Sequence, residues 1–156
     1  MGELAVSADP SEVLVSLALG SCVGVAMVDR RRHVAGLAHV MLPEAPVSAA
    51  GTDVGKFADT AVPDLLEQLV GLGALRARLE VSLVGGAQMF SFGSDASAVG
   101  PRNEAAVRQA LAKVRLPVLA ACTGGKQGRT IRVDVGTGEV AYKAAGGPVT
   151  ALRRAA

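Results

Sequence analysis

Two side chains in this sequence could do chemistry together. Cys22 sits in a Gly20-Ser21-Cys22 turn inside the apolar stretch 13–28, VLVSLALGSCVGVAMV, and His39 follows in GLAHVMLP. If the chain folds back after Val28, the turn falls within Asp29, Arg30, Arg31 and Arg32, the charged cluster between two strand-like segments. A symmetric hairpin of two or four loop residues then pairs positions whose numbers sum to 61, which sets Cys22 opposite His39. Cross-strand partners hold their Cβ atoms about 4.5–5.5 Å apart on one face. A one-residue bulge would move His39 off that face. An ordinary thiol, pKa about 8.5, is only a few per cent thiolate at neutral pH, and a facing imidazole activates it as general base or as an imidazolium partner. The matching chemistry is acyl transfer: thiolate attack on a carbonyl, an oxyanion held by turn amides such as those of Ser21 and Cys22, and hydrolysis of the thioester. Taken singly, each residue reads as core packing: an inert buried cysteine and a satisfied histidine.

The elements that must position this pair follow from the apolar pattern. Segments 13–19, 22–28 and 34–42 are continuously apolar, which predicts central strands covered on both faces. Gly24 and Ala26 share the thiol's face and leave either a substrate slot or close layer packing, whereas Val23, Val25 and Met27 fill the opposite face. Residues 43–55 form a long loop rich in Pro, Ala, Ser and Gly. Val62, Leu65, Leu66, Leu69 and Val70 then recur at helical spacing, with Asp59 or Thr60 as cap, Gly71 and Gly73 as stops, and Pro63 placed in the first turn. A strand over 79–84, a polar stretch over 87–100, a second helix over 103–114, and strands over 117–121, 130–135 and 139–143 complete the series. Gly136-Thr137-Gly138 joins the last two as a hairpin. Short-linked strands first and helices later indicate an α+β fold in one domain spanning 1–156, with 1–11 and 146–156 loosely ordered.

Composition narrows the function. At 50% hydrophobic and 3% aromatic residues, without Trp, the 156-residue chain builds its core from Val, Leu and Ala. A net charge of +2, one Tyr and three Phe supply neither a phosphate track nor stacking platforms, which argues against nucleic acid. Two cysteines are too few for a disulfide scaffold, and residues 1–12 contain acids but no Lys or Arg, so no signal peptide is expected. The apolar stretch 13–28 is too short to span a bilayer and is interrupted by Gly20, Ser21 and Gly24. A cytoplasmic protein with reduced thiols is expected. Neither GGAQM nor TGGKQG matches a phosphate-binding loop, His33 and His39 lack metal-ligand spacing, and Cys122 reads as a small buried hydrophobe.

Several spaced motifs in one order carry a resemblance: Leu19-Gly20-Ser21-Cys22-Val23, Gly36-Leu37-Ala38-His39-Val40-Met41-Leu42-Pro43, Gly55-Lys56-Phe57-Ala58-Asp59, Gly85-Gly86-Ala87, Arg102-Asn103 and Gly124-Gly125. Over about residues 12–145 the chain resembles CheD, the chemoreceptor glutamine deamidase family of bacterial and archaeal chemotaxis. The resemblance implies a three-layer α/β/β sandwich, with two main helices on a mostly antiparallel sheet. It implies that Cys22 is the nucleophile and His39 the general acid/base, with no cofactor and no metal. The family's third polar residue, usually threonine six positions before the cysteine, falls on Ser16, which keeps the hydroxyl and loses the methyl; the alternative for Ser16 is a strand serine bonded to backbone. Gly85, Gly86, Gly124 and Gly125 mark a candidate cleft for substrate or partner. The implied substrates are glutamines of methyl-accepting chemotaxis receptors, hydrolysed to glutamate, with glutamyl methyl esters as a side activity. The implied partner is a CheC-type phosphatase, and the alternative function is a regulatory binding module for it. Ala18 stands where the family often has glycine, and Cys122-Thr123 where it usually has acidic residues.

Overall fold

The computed structural model describes residues 2–49, 51, 53–90 and 98–153. Its strands are β1 (Leu4–Ser7), β2 (Val13–Leu19), β3 (Val23–Asp29), β4 (Val34–Val40), β5 (Glu80–Gly85), β6 (Val118–Thr123), β7 (Arg129–Asp134), β8 (Val140–Ala144) and β9 (Val149–Ala151). Two α-helices are present among the described residues, α1 (Ala58–Gly71) and α2 (Val99–Lys113). One sheet runs β1-β4-β3-β5-β6 and the other β2-β7-β8-β9; all pairs are antiparallel except β5 with β6. The segment between those two strands holds α2, so the parallel pair is a β-α-β unit inside an otherwise antiparallel α+β fold.

Alternation of side chains along β3 and β4 builds three layers. Val23, Val25 and Met27, with Ala38 and Val40, form one core with α1 and α2 through Val62, Leu65, Leu69, Val107 and Leu111. Ala26, Val28, Ala35 and Leu37 face the other way and pack on Leu19, Ile131, Val133 and Val140 of the second sheet. Every residue of β3 and β4 is therefore buried, as strands covered on both faces must be. Gly24 lies where the sheets come closest: a Cβ there would sit 3.0 Å from both Ile131 and Leu19, so close layer packing rather than a slot accounts for the small residues.

Four expectations are corrected. The strand at 13–19 is not central: β2 is an edge of the second sheet, with Val15 and Leu17 exposed. The segments expected to be loose each contribute a strand, β1 pairing with β4 and β9 with β8, while residues 1 and 154–156 lie outside the described residues. Pro63 lies in the second turn of α1, because the helix begins at Ala58 and Asp59 spends its carboxylate on the Ala45 amide. The β3–β4 hairpin pairs Asp29 with Val34 and Gly24 with His39, two residues off the expected register. Its physical cause is Asp29. The side chain is fully buried and accepts hydrogen bonds from the amides of Arg32 and Leu75, so Asp29 ends the strand and the turn moves on to Arg30, Arg31, Arg32 and His33. A shift of two preserves parity, so His39 keeps its face.

Ala18 explains how an edge strand aims two residues inward. The β2–β7 register breaks between Ser16 and Leu19, both of which are buried, and Ala18 between them has φ +56°. The bulge turns Leu19 into the core while Ser16 keeps its inward orientation. An L-residue in the left-handed region is strained, and glycine is not. Ala18→Gly is accordingly expected to raise the denaturation midpoint, by up to about 1 kcal/mol of stability; a lowered midpoint would contradict the strain.

Candidate active site

The turn between β2 and β3 carries the chain from one sheet to the other, and its carbonyls are all anchored on one side. The Ala87 amide donates to the Gly20 carbonyl at 2.8 Å and the Gly86 amide to the Cys22 carbonyl at 2.8 Å. Between them, the Asn103 carboxamide donates to the Ser21 carbonyl at 3.0 Å. The amides of Ser21 and Cys22 donate to nothing among the described residues. Two neighbouring unpaired N–H groups next to a thiol form the kind of donor pair that stabilises an oxyanion.

His39 reaches the same inter-sheet layer from β4. Its ring is buried, and Nδ1 is hydrogen-bonded to the buried Ser16 hydroxyl, 2.8 Å away across the gap between the sheets. Ser16 faces the ring from the regular part of β2, ahead of the bulge at Ala18. Nε2 is buried and has no hydrogen-bond partner among the described residues. Directly opposite His39 is Gly24, not the expected Cys22. Cys22 lies two residues further along and packs against the inter-sheet core, half-buried, with its thiol not hydrogen-bonded to the ring. Register parity thus places thiol and imidazole in one layer, though not in the direct contact the hairpin arithmetic gave.

Burial sets both protonation states. It pushes the Cys22 thiol above its ordinary value and holds the His39 imidazole below its ordinary 6.5, because each charged form loses solvation. The resting pair is a neutral thiol and a neutral imidazole rather than a thiolate–imidazolium pair. A small hollow of about 200 Å³ opens along Glu3, Val15, Ser16, Leu37 and His39. Two wider hollows, about 500 and 710 Å³, lie at the Asp29 end of β3, remote from Cys22.

The glycines expected to line a cleft serve as backing for the turn. Gly85 has φ +117°, and a Cβ there would lie 2.2 Å from the Cys22 carbonyl oxygen. The Gly124 amide donates to the Gly85 carbonyl at 3.0 Å and the Gln88 amide to the Gly125 carbonyl at 2.9 Å, so the second glycine pair supports the first. Gly85→Ala is expected to displace the Cys22 turn, slowing modification of Cys22 by a thiol reagent at least tenfold and costing on the order of 2–3 kcal/mol; unchanged Cys22 reactivity would contradict this backing role. Cys122 is half-exposed rather than buried and lies close to the Tyr142 hydroxyl on the facing sheet. The stretch 91–97 of the polar segment lies outside the described residues. Asn103, noted only in a motif, stands inside α2 with a fully buried side chain. An amide on the apolar stripe, four residues before Val107, was the available signal.

Residues 41–144 match the family described as CheD chemotactic sensory transduction, a span that begins just after His39. The chain is 42% identical over 142 residues to a probable chemoreceptor glutamine deamidase CheD of Moorella thermoacetica, covering 89% of this chain and 85% of that protein. It is 40% identical over 141 residues to the protein of the same description from Lachnoclostridium phytofermentans, covering 89% and 88%. A third, from Methanococcus vannielii, is 41% identical over 143 residues, covering 92% and 91%. Among the described residues no helix is long and apolar enough to cross a membrane.

Proposed function

From the premise that the chain belongs to the CheD family, we propose that it is a protein-glutamine glutaminase, converting glutamine side chains of methyl-accepting chemotaxis receptors to glutamate and ammonia. The observation that carries the chemistry is the Ser16–His39 hydrogen bond, which occupies Nδ1 and leaves Nε2 as the ring atom free to exchange a proton with Cys22. With Nδ1–H donating to Ser16, Nε2 carries the lone pair.

The reaction then runs in two halves. As substrate enters and draws Sγ and Nε2 together, Nε2 takes the thiol proton and sulfur attacks the carboxamide carbon. The oxyanion rests on the Ser21 and Cys22 amides. His39 returns the proton to the departing nitrogen, releasing ammonia and leaving a glutamyl thioester on Cys22. Water, deprotonated by the same nitrogen, attacks the thioester; the acid departs and the thiol is restored. A glutamyl methyl ester offers the same acyl carbon, so its hydrolysis follows the same course, with methanol leaving. A CheC-type phosphatase is a candidate regulatory partner. Mass analysis of a receptor cytoplasmic fragment tests the reading: incubation with the protein is expected to add about one dalton per modified glutamine, and no gain on any cognate receptor would overturn it.

A further inference from the structure

We propose that Asn103 is a positioning residue that holds the Cys22 turn against the His39 strand; this rests on the Cys22–His39 reading above. The β3–β4 ladder has its last rung at Val23 and Val40. Continued by one step it would pair Cys22 with Met41, but both leave. The Met41 amide donates to the Lys56 carbonyl at 2.8 Å, and the Cys22 carbonyl accepts from Gly86. The two strands therefore fork at the end where the thiol and the imidazole must cooperate.

Asn103 closes the fork. Its Nδ2 donates to the Ser21 carbonyl at 3.0 Å and to the Met41 carbonyl at 2.8 Å, one residue before the thiol and two after the imidazole. The side chain is fully buried, and its Oδ1 has no partner among the described residues. Leu or Val would suit this position on the apolar stripe of α2 beside Val107 and Leu111, yet neither could serve the Ser21 and Met41 carbonyls. One unpaired acceptor on Asn103 is set against two paired ones, and both of those lie on the segments that carry the thiol and the imidazole. The helix carrying it cannot drift. A Cβ on Gly100 would lie 2.3 Å from the Ala87 carbonyl oxygen and 2.6 Å from that of Gly86, the same two residues whose amides anchor Gly20 and Cys22. The first turn of α2, the glycine pair and the cysteine turn thus form one unit, and Asn103 is its only side-chain link to both forks among the described residues.

The test uses the full-length protein and a receptor cytoplasmic fragment. Asn103→Leu keeps the branched outline of the side chain and suits the apolar stripe, so it is expected to fold, with circular dichroism and Cys122 alkylation as in the wild type. Its kcat is expected to fall about 10- to 100-fold, with KM changed by less than about threefold, because the loss is one of alignment rather than binding. In a His39→Ala background the same substitution is expected to remove less than about threefold more, since the aligned partner is already gone. Asn103→Ala serves as the companion variant and is expected to show the same split. Wild-type kcat in Asn103→Leu, or a full additional loss in the His39→Ala background, would overturn the positioning role while leaving the dyad intact. Undiminished deamidation by His39→Ala alone would overturn the dyad and, with it, the role of Asn103.

Discussion

Receptor fragments incubated with Cys22→Ala are expected to keep their glutamines, at a rate at least about 10³-fold below wild type. The reasoning is chemical: without Sγ there is no nucleophile to form the thioester and no thiol proton for His39 to pass to the departing nitrogen, so water must attack the carboxamide directly. The protein itself should remain folded. Cys22 is only half-buried, and the three carbonyls of the turn keep their anchors from Ala87, Asn103 and Gly86 whatever the side chain. Cys22→Ser sharpens the result, because an alkoxide is far harder to generate beside a neutral imidazole than a thiolate. Association with a CheC-type phosphatase should survive either substitution. If receptor conversion also survives, the thiol is bystander packing and hydrolysis runs through another group; wild-type protein that converts no cognate receptor while binding the phosphatase tightly would instead be a binding module.

His39→Ala is expected to reduce kcat about 10²- to 10⁴-fold, the range for loss of a positioned general acid/base that acts in both halves of a reaction. The pH profile gives an independent reading. Protonated His39 cannot accept the thiol proton, and burial holds its pKa below 6.5. Activity should therefore rise with pH through a midpoint below 6.5 and be fully present by neutral pH. Ultraviolet absorbance should show no thiolate at that point, since burial raises the thiol's pKa. A midpoint above 6.5, or a thiolate band at neutral pH, would replace the neutral pair with an ion pair. Stability carries the same sign. The unfolded chain binds the histidine proton more readily than the folded one, so stability should decline as pH falls from 6.5 through the lowered folded value. His39→Ala should lack that component.

Much of this arrangement is legible in local pattern. Unbroken apolar runs mark β3 and β4 as doubly covered, the i, i+3, i+4 spacing marks the buried stripe of α1, and Gly136-Thr137-Gly138 marks the β7–β8 turn. What escapes is long-range. Asp29 looks like a turn residue because it begins a charged cluster; its carboxylate is instead claimed by the Leu75 amide, 46 residues away, and the hairpin register moves by two. The division into two sheets, which makes β2 an edge, is set by its pairing with β7, more than 100 residues later, and the bulge at Ala18 within that pair is announced by no periodicity. Ser16 could be singled out only through the family resemblance, since its hydroxyl meets His39 across two different sheets. Asn103 left a local trace, one amide on an apolar helical face, but its two acceptors are supplied by segments more than 60 residues earlier.

The decisive measurement is acid-quench mass spectrometry of the protein during turnover with a glutamine-bearing receptor fragment. A thioester route requires a population of the Cys22-containing peptide joined to substrate and lighter than the sum of the two by one ammonia, absent from Cys22→Ala. Product formation at full rate with no such adduct, and with Cys22 still alkylatable throughout, would contradict covalent catalysis by this cysteine.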